Sequence, residues 1–495
     1  MNKNNTICAP ATLQGASAAL AIIRISGPEA HQIVSKIFHP ATTQTPLLPR
    51  KVYFGNIFDG ERLIDEVLVH ISVAPFSFTG EDTAEINCHG SPYVIHEIIR
   101  IIISKGAFPA LPGEFSQRAF LNGKIDLSQA EAIADLISSE SEAAHRLSIQ
   151  QMRGGFSQEI QNLRSAIIDY ASLLELELDF SEEDVIFADR NKLLTLLEQI
   201  IITIERLCTS FRLGNVLKNG VPTAIVGATN VGKSTLLNAI LDEERSIVSD
   251  IHGTTRDTIE EEITLEGIRF RFIDTAGLRK SEEMIEQMGI ERSLQKIQSA
   301  SLLLLVLDAN HPELFRDQMI QIAHKMDAKT QQLIVVFNKS EVIHTEDFFC
   351  NNNVMLCNTN TVPNGDFLHN NLASTILQIS KEEKVSLYAL IFVSAKHKLG
   401  INSLQILLVS AIRSLYDVTT NVQNIFLLTN IRHLNSLQES LKALNNVRLG
   451  LISQIPIDLI VQDLRQALHE LGSITGEVTN QEILANIFGK FCIGK

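Results

Sequence analysis

Gly227-Ala228-Thr229-Asn230-Val231-Gly232-Lys233-Ser234 stands between an apolar run, Thr223 to Val226, and a stretch of helical period, Thr235 to Leu241. Glycines at both ends of such a loop let the backbone wrap an anion so that its N–H groups point inward, and the helix behind adds partial positive charge. Lys233 is placed to reach terminal phosphates and Ser234 to ligate Mg²⁺. Around this loop, short apolar runs at Arg269 to Ile273, Leu302 to Leu307, Leu333 to Phe337 and Leu390 to Val393 alternate with helical or loop segments. That alternation predicts a parallel sheet wound with helices on both faces. Asn351 to Asn371, polar and without period, is expected to be a surface loop of this unit.

Further along, Asp274-Thr275-Ala276-Gly277 closes the strand Arg269 to Ile273. A carboxylate there can hold the water shell of Mg²⁺, and the glycine lets a backbone N–H approach a γ-phosphate. Gly253-Thr254-Thr255-Arg256-Asp257 supplies a hydroxyl, from Thr255, to complete the Mg²⁺ sphere. Asn338-Lys339-Ser340-Glu341 and Ser394-Ala395-Lys396 each follow a strand, at the carboxyl edge where such sheets bind ligands. In order and spacing these five elements resemble the motifs of the P-loop GTPases. Two positions depart from that pattern. Glu341 stands where the guanine-reading aspartate is usual and carries its charge one methylene further. Leu278 stands where a water-orienting glutamine would be, so another group must position the attacking water. Asn230 occupies the place at which one GTPase class holds a potassium ion, which offsets developing negative charge as an arginine would.

The regions flanking this unit read differently. Residues 1–119 alternate strand-like runs (Leu20 to Ile25, Val67 to Val73, Thr83 to Cys88) with turns and hold one helical stretch, Tyr93 to Ser104, which predicts an α+β domain. From Ser116 helix period takes over, with Leu127, Ala130, Ile133, Ala134 and Ile137 on one face and Leu163, Ile167, Tyr170, Leu174 and Leu178 on another. It returns after Tyr416 through Ile431 to Leu451, Ile457 to Leu471 and Gln481 to Phe488. The expected organisation is therefore an N-terminal α+β domain (1–119), a helical domain in two parts (120–215 and 417–495), and an inserted α/β GTPase domain (216–416).

Composition narrows the classes. The 495 residues allow about three domains. A formal charge of −15 argues against a general nucleic-acid coat, because a polyanion must find a local basic patch on such a surface. The six cysteines (Cys8, Cys88, Cys208, Cys350, Cys357, Cys492) form no paired or zinc-type cluster, which fits a reducing cytoplasm. The apolar stretch Ala16 to Ile23 is cut by Arg24, and no apolar run reaches the roughly 20 residues of a membrane span. A cytoplasmic protein without a membrane segment is expected.

The flanks carry a second resemblance. Pro112-Gly113-Glu114-Phe115-Ser116-Gln117-Arg118-Ala119-Phe120-Leu121-Asn122-Gly123-Lys124 and its continuation to Ile137, Ile23-Arg24-Ile25-Ser26-Gly27, Thr79-Gly80-Glu81-Asp82-Thr83-Ala84-Glu85 and the terminal Phe491-Cys492-Ile493-Gly494-Lys495 resemble the tRNA modification GTPase MnmE (TrmE) family. The resemblance runs over essentially the whole chain. It implies an N-terminal folate-binding and dimerisation domain ahead of a helical domain interrupted by the GTPase domain. It also implies a role, with the FAD protein MnmG (GidA), in adding an aminomethyl or carboxymethylaminomethyl group to carbon 5 of the wobble uridine of certain tRNAs. The one-carbon donor would be a tetrahydrofolate derivative (5-formyl or 5,10-methylene form), and a homodimer would join MnmG in a heterotetramer.

By position, Arg24, Glu85, Lys124 and Lys495 match the folate-contacting residues, and Cys492 the family's functional cysteine. Glu286 matches its water-positioning glutamate. GTP contacts extend over Asn230, Val231, Gly232, Lys233, Ser234, Thr235, Ser249, Asp250, Ile251, His252, Gly253, Thr254, Thr255, Asp274, Thr275, Ala276, Gly277, Asn338, Lys339, Glu341, Ser394, Ala395 and Lys396. Mg²⁺ falls to Ser234 and Thr255, and K⁺ to Asn230, Ser249, Ile251 and Thr254. The N-terminal loop departs from the family, Thr12 to Leu20 holding one glycine where the pattern is rich in Pro and Gly. Two other readings share the same motifs: a ribosome-assembly GTPase, and a nucleotide-gated scaffold for an RNA-modifying complex. The first normally carries a tandem GTPase or KH domain, whereas this chain has one P-loop and no GxxG clamp.

Overall fold

The structure is a computed structural model describing residues 5–12, 17–41, 47–179, 190–242, 261–273, 297–327, 330–340, 354–356, 371–383, 385, 387–415, 427–453, 455–479, 481–489, 491–492 and 494. The chain divides into two compact units. One comprises Met1–Ser138, Ser148–Cys208 and Ile431–Lys495, the other Ser139–Leu147 and Thr209–Asn430.

The first unit begins with a seven-stranded sheet: β1 (Ile7–Pro10), β2 (Ala18–Ser26), β3 (Phe38–Pro40), β4 (Val52–Asp59), β5 (Arg62–Ser72), β6 (Thr83–Gly90) and β7 (Phe108–Pro109), in the order β3-β4-β5-β6-β2-β1-β7. All neighbours are antiparallel except β1 and β7. Alternation sets the faces. In β5, Val67, Val69 and Ile71 are buried while Glu66 and Leu68 are exposed. The buried face packs against α1 (Ala30–Ile37) and α2 (Pro92–Ser104). Sequence periodicity predicts only the second of these helices. The first is two turns long, and its apolar residues Ala30, Ile33, Val34 and Ile37 fall on one stripe only once a helix is assumed.

Helices follow: α3 (Glu114–Leu121), α4 (Leu127–Ile137), α5 (Glu142–Met152), α6 (Gly155–Asp179) and α7 (Arg190–Asn219). Asp126 starts α4 through a capping box, its carboxylate accepting from Gln129 N at 2.8 Å while the Gln129 side chain accepts from Asp126 N at 2.9 Å. In the second unit the sheet contains β8 (Val221–Val226), β9 (Glu261–Leu265), β10 (Ile268–Phe272), β11 (Leu302–Asp308), β12 (Gln332–Asn338), β13 (Val354–Leu356) and β14 (Leu387–Phe392). With them run α8 (Lys233–Asp242), α9 (Phe315–Ala323), α10 (Asn371–Glu382) and α11 (Ile401–Leu415). Strand order is β13-β14-β12-β11-β8-β10-β9, parallel through the middle with antiparallel edges at β9 and β13. Leu302, Leu304 and Val306 of β11 pack towards α8 and α11, and Leu303, Leu305 and Leu307 towards α9 and α10, so both faces are covered. The strand β13 falls inside the segment read as loop; three residues are too few for a period, and pairing with β14 makes the strand.

The chain ends in α12 (Ile431–Ile452), α13 (Ile457–Thr475) and α14 (Gln481–Phe488), which belong to the first unit. At the start of α12, buried His433 and half-buried Arg432 both hold Glu131 of α4. His433 Nε2 lies 2.7 Å from Glu131 Oε2, and Arg432 donates to both carboxylate oxygens at 3.0 and 2.9 Å. The two helical parts, 300 residues apart in sequence, are thereby joined by a buried ionic cluster. An N-terminal α+β domain, a split helical domain and an inserted α/β unit make up the chain.

Candidate functional site

The phosphate loop follows directly on the buried strand β8 and runs into the first turn of α8. Two of its glycines are required by contact. Gly227, at φ +147°, would put a Cβ 2.3 Å from Val306 O on the adjacent central strand, and Gly232, at φ +95°, would put one 2.3 Å from Asn338 Nδ2. Asn230 also takes a left-handed conformation, φ 62°. These turns curl the loop around its own N–H groups. Lys233 Nζ donates to Gly227 O at 3.0 Å and Ala228 O at 2.5 Å, which spans the loop with the ammonium. Ser234 and Thr235 are exposed in the first turn of α8, and Val231 is buried.

Asn338 ends β12 and joins three motifs. Its Nδ2 donates to Val231 O at 2.9 Å, and its Oδ1 accepts from Ala395 N at 3.0 Å. The side chain is 3% exposed, so both halves of its amide are used inside the fold. Lys339 Nζ reaches Asn230 O at 2.8 Å and Asp308 Oδ2 at 2.7 Å. Ser394 and Ala395 are buried and Lys396 is exposed. A bridge between Ser394 and Leu399 closes the turn that carries them. Ser249, Asp250, Ile251, His252, Gly253, Thr254, Thr255, Asp274, Thr275, Ala276, Gly277, Glu286 and Glu341 lie outside the described residues.

A second constellation sits on the first unit's sheet, on the face away from α1 and α2. Arg24 of β2 and Glu85 of β6 are cross-strand partners, with Arg24 Nε 2.8 Å from Glu85 Oε1. The guanidinium lies 5.1 Å from the Phe78 ring centre and 5.7 Å from that of Phe115. Lys124 Nζ donates to Pro75 O at 3.0 Å, at the loop that carries Phe78.

That loop is fastened by residues to which the sequence reading gave no role. Arg118, 4% exposed, donates to Glu81 Oε2 at 3.1 Å, to Glu114 Oε1 at 3.0 Å and to Asn5 O at 2.8 Å. Ser26 Oγ donates to Glu81 and pairs with Thr79 Oγ1 at 2.7 Å. The spacing of Glu114 and Arg118, one helical turn apart, was the available signal.

The carboxyl terminus reaches the same sheet. Gly113 N donates to Cys492 O at 3.4 Å, and Gly494, at φ +96°, packs so closely on β1 that a Cβ would lie 2.1 Å from Pro10 O. Ala9, beside Pro10, is the cross-strand partner of Arg24. Cys492 is exposed. Burial pushes the Cys8 thiol up to about 12, and burial with the Asp65 charge pushes Cys88 up to about 11, so these two are unreactive as thiolates at neutral pH. Lys495 lies outside the described residues.

Comparison with known proteins gives the arrangement its family. Residues 6–124 match the family described as the GTP-binding protein TrmE N-terminus, and residues 127–492, well over half of the chain, match that described as the MnmE helical domain. The chain belongs to the tRNA modification GTPase MnmE family. The MnmE of Bacteroides thetaiotaomicron is 47% identical over 500 residues, covering 100% of both chains, and that of Bacteroides fragilis is 47% identical over 503 residues with the same coverage. The MnmE of Cytophaga hutchinsonii is 46% identical over 494 residues, which is 100% of this chain and 98% of that protein. The MnmE helical-domain match brackets the entire α/β unit, as an insertion into one helical domain requires. Among the described residues no helix is long and apolar enough to cross a membrane.

Proposed function

We propose that this MnmE-family chain is a cytoplasmic, K⁺-stimulated GTP hydrolase. It acts, as a homodimer assembled with MnmG into a heterotetramer, in installing an aminomethyl or carboxymethylaminomethyl group on carbon 5 of the tRNA wobble uridine. The observation that carries the nucleotide reading is Asn338, whose one amide ties the phosphate loop at Val231 to the Ser394–Lys396 turn. Phosphate-reading and base-reading elements are thereby held in one rigid edge. The loop fits a nucleotide: three left-handed turns, a lysine across the mouth and exposed hydroxyls at a helix N-terminus suit polyphosphate and Mg²⁺.

In hydrolysis, water attacks the γ-phosphorus and the bond to the β–γ bridging oxygen breaks, giving GDP and inorganic phosphate. Lys233 and the loop N–H groups stabilise the phosphate oxygens. Ser234 and Thr255 would hold Mg²⁺, with Asp274 on its water shell. Asn230, Ser249, Ile251 and Thr254 would hold K⁺, which supplies positive charge where the transition state develops negative charge. Glu286 orients the attacking water in place of the glutamine absent at Leu278. Lys339, Glu341 and the Ser394–Lys396 turn read guanine from the edge that Asn338 ties to the phosphate loop, with Val231, Thr235, Asp250, His252, Gly253, Thr275, Ala276 and Gly277 completing the pocket.

For the one-carbon chemistry, Arg24 and Glu85 form the polar edge for a pterin, and Lys124 and Lys495 serve the anionic tail. The donor set fits a tetrahydrofolate derivative, because a guanidinium beside the exposed Phe78 ring and paired to a carboxylate offers both stacking and hydrogen bonding to a flat heterocycle. Bound there, the folate would supply the one-carbon unit. Cys492, exposed on the tail beside β1, is the proposed catalytic thiol.

Wobble-uridine analysis by mass spectrometry, in cells carrying Lys233→Ala or Glu286→Ala, tests the proposal. Loss of the modification in both variants is expected; normal modification with hydrolysis abolished would leave a scaffold. Turnover in K⁺ and in Na⁺ at matched ionic strength tests the cation, equal rates removing it.

A further inference from the structure

Lys339 adopts φ 60° and Asn230 φ 62°, two non-glycine residues in left-handed turns linked through the Lys339 ammonium group. Asparagine tolerates such a turn by itself, whereas lysine does not favour it, so the turn at Lys339 is held by its surroundings. The imposing contacts form a chain. Lys339 Nζ donates to Asn230 O at 2.8 Å and to Asp308 Oδ2 at 2.7 Å. Asp308 ends β11, the strand next to β12, and its other oxygen accepts from Asn310 N and Asn310 Nδ2, both at 3.0 Å. The Asp308 side chain is 11% exposed, so it does not swing away. Burial pushes its carboxyl up, yet the hydrogen bonds from Lys339 and Asn310 outweigh this and hold it below the usual range, so it is anionic at neutral pH.

The donor and the main-chain acceptor of this contact belong to different tasks. Lys339 itself sits in the base-reading motif, whereas Asn230 is the phosphate-loop residue assigned to the monovalent cation. A main-chain carbonyl gripped by an ammonium cannot rotate without breaking a charge-assisted bond, and the Asn230 side chain turns with its backbone. We propose that Asp308 is a positioning residue: by fixing the Lys339 ammonium on the Asn230 carbonyl it holds the phosphate loop in the turn that aims Asn230 at the cation. Base recognition and cation activation are then set by the same buried carboxylate. The inference rests on the cation reading above.

The test is a K⁺ titration of the full-length protein at constant ionic strength, read as GTP turnover and, apart from activity, as amide exchange across residues 227–234 without nucleotide, which freeing the Asn230 carbonyl should speed severalfold. Asp308→Asn keeps the shape and removes the charge. It is expected to raise the half-activating K⁺ concentration about tenfold, the scale of one charge-assisted hydrogen bond, while turnover at saturating K⁺ changes less than about twofold. Asp308→Glu, which restores the charge, is expected to recover most of the shift. Asn310→Ala, at an exposed position, removes one anchor of Asp308 and should move the same constant in the same direction by a smaller factor, which keeps the test sharp if Asp308→Asn folds poorly. A wild-type protein that responds to K⁺ beside variants with superimposable K⁺ curves would overturn this inference alone. Equal wild-type rates in K⁺ and Na⁺ would overturn the cation reading and this inference with it.

Discussion

Glu131→Gln should loosen the joint between the two helical parts, and the size of the effect follows from the carboxyl's surroundings. Burial alone would raise the Glu131 pKa; the charge and hydrogen bond of His433 and then those of Arg432 outweigh it and hold it down to about 2, against an ordinary 4.5. Arg432 is itself fixed by Ser473 O at 2.7 Å and Ile474 O at 3.1 Å, and His433 is covered by the Phe156 ring at 5.2 Å, so His433 and Glu131 are shielded from water. One pKa unit corresponds to about 1.4 kcal/mol, so the difference between 4.5 and about 2 is worth about 3 kcal/mol of native stability at pH 7. Because the folded pKa is the lower one, this stability is complete above the unfolded value and is lost as pH falls from 4.5 towards 2. Glutamine mimics the protonated acid, so the gap between wild type and variant tracks the ionised fraction. The assay is amide hydrogen exchange on the full-length protein, followed in peptides spanning 127–137 and 431–452. At pH 7 the variant should open there more easily by about 3 kcal/mol, roughly a hundredfold faster exchange, with the gap shrinking to about 2 kcal/mol at pH 3.5. A gap below about 1 kcal/mol at pH 7, or one that does not shrink at pH 3.5, would refute the claim that an ionised Glu131 holds the joint.

Gly232→Ala forces a Cβ to within 2.3 Å of Asn338 Nδ2 at φ +95°, and should weaken nucleotide binding by about a hundredfold or more in a fluorescent-GDP titration. Arg118→Met strands Glu81 and Glu114 without their shared cation; a local loss of about 3–5 kcal/mol is expected, seen as faster exchange in residues 75–85 and weaker binding of 5-formyltetrahydrofolate. Gly494→Ala cannot keep the tail against Pro10 O, so amide exchange at Gly113, whose N–H donates to Cys492 O, should accelerate severalfold while Cys8 and Cys88 stay unreactive towards iodoacetamide. Unchanged exchange at Gly113 in that variant would show that the docking seen at Gly494 does not hold the tail.

The central strands were legible because a parallel sheet buries both faces and writes itself as an unbroken apolar run, as in Leu302 to Leu307 within β11. What escaped was of another kind. The strand β9, Glu261–Leu265, begins with two glutamates and is an antiparallel edge, so its existence depends on pairing with β10 rather than on its own pattern. The helix α1 carries a regular stripe, Ala30, Ile33, Val34 and Ile37, in too few residues to stand out from its neighbours. Elements whose stability comes from their partners leave weak traces in their own residues.

The candidate site divides along the same line. The phosphate loop is contiguous, and its chemistry can be read from eight adjacent residues because backbone N–H groups do most of the binding. Asp308 has no such context: it lies 31 residues before Lys339, and only adjacent parallel strands, β11 and β12 in register at Asp308 and Asn338, bring the carboxylate to the ammonium. Arg118 is further removed still, 113 residues from Asn5 and 37 from Glu81. A single motif position names a residue by its own chemistry; a buried cation among two carboxylates and a carbonyl names the residue that keeps a neighbouring loop in place. Such groups cost desolvation wherever they sit; at 4% exposure Arg118 offsets that cost through Glu81, Glu114 and Asn5 together, a demand that one loop geometry meets. That demand is what links the fold of the N-terminal sheet to the chemistry proposed on it, because the loop Arg118 holds is the one that lays Phe78 over Arg24.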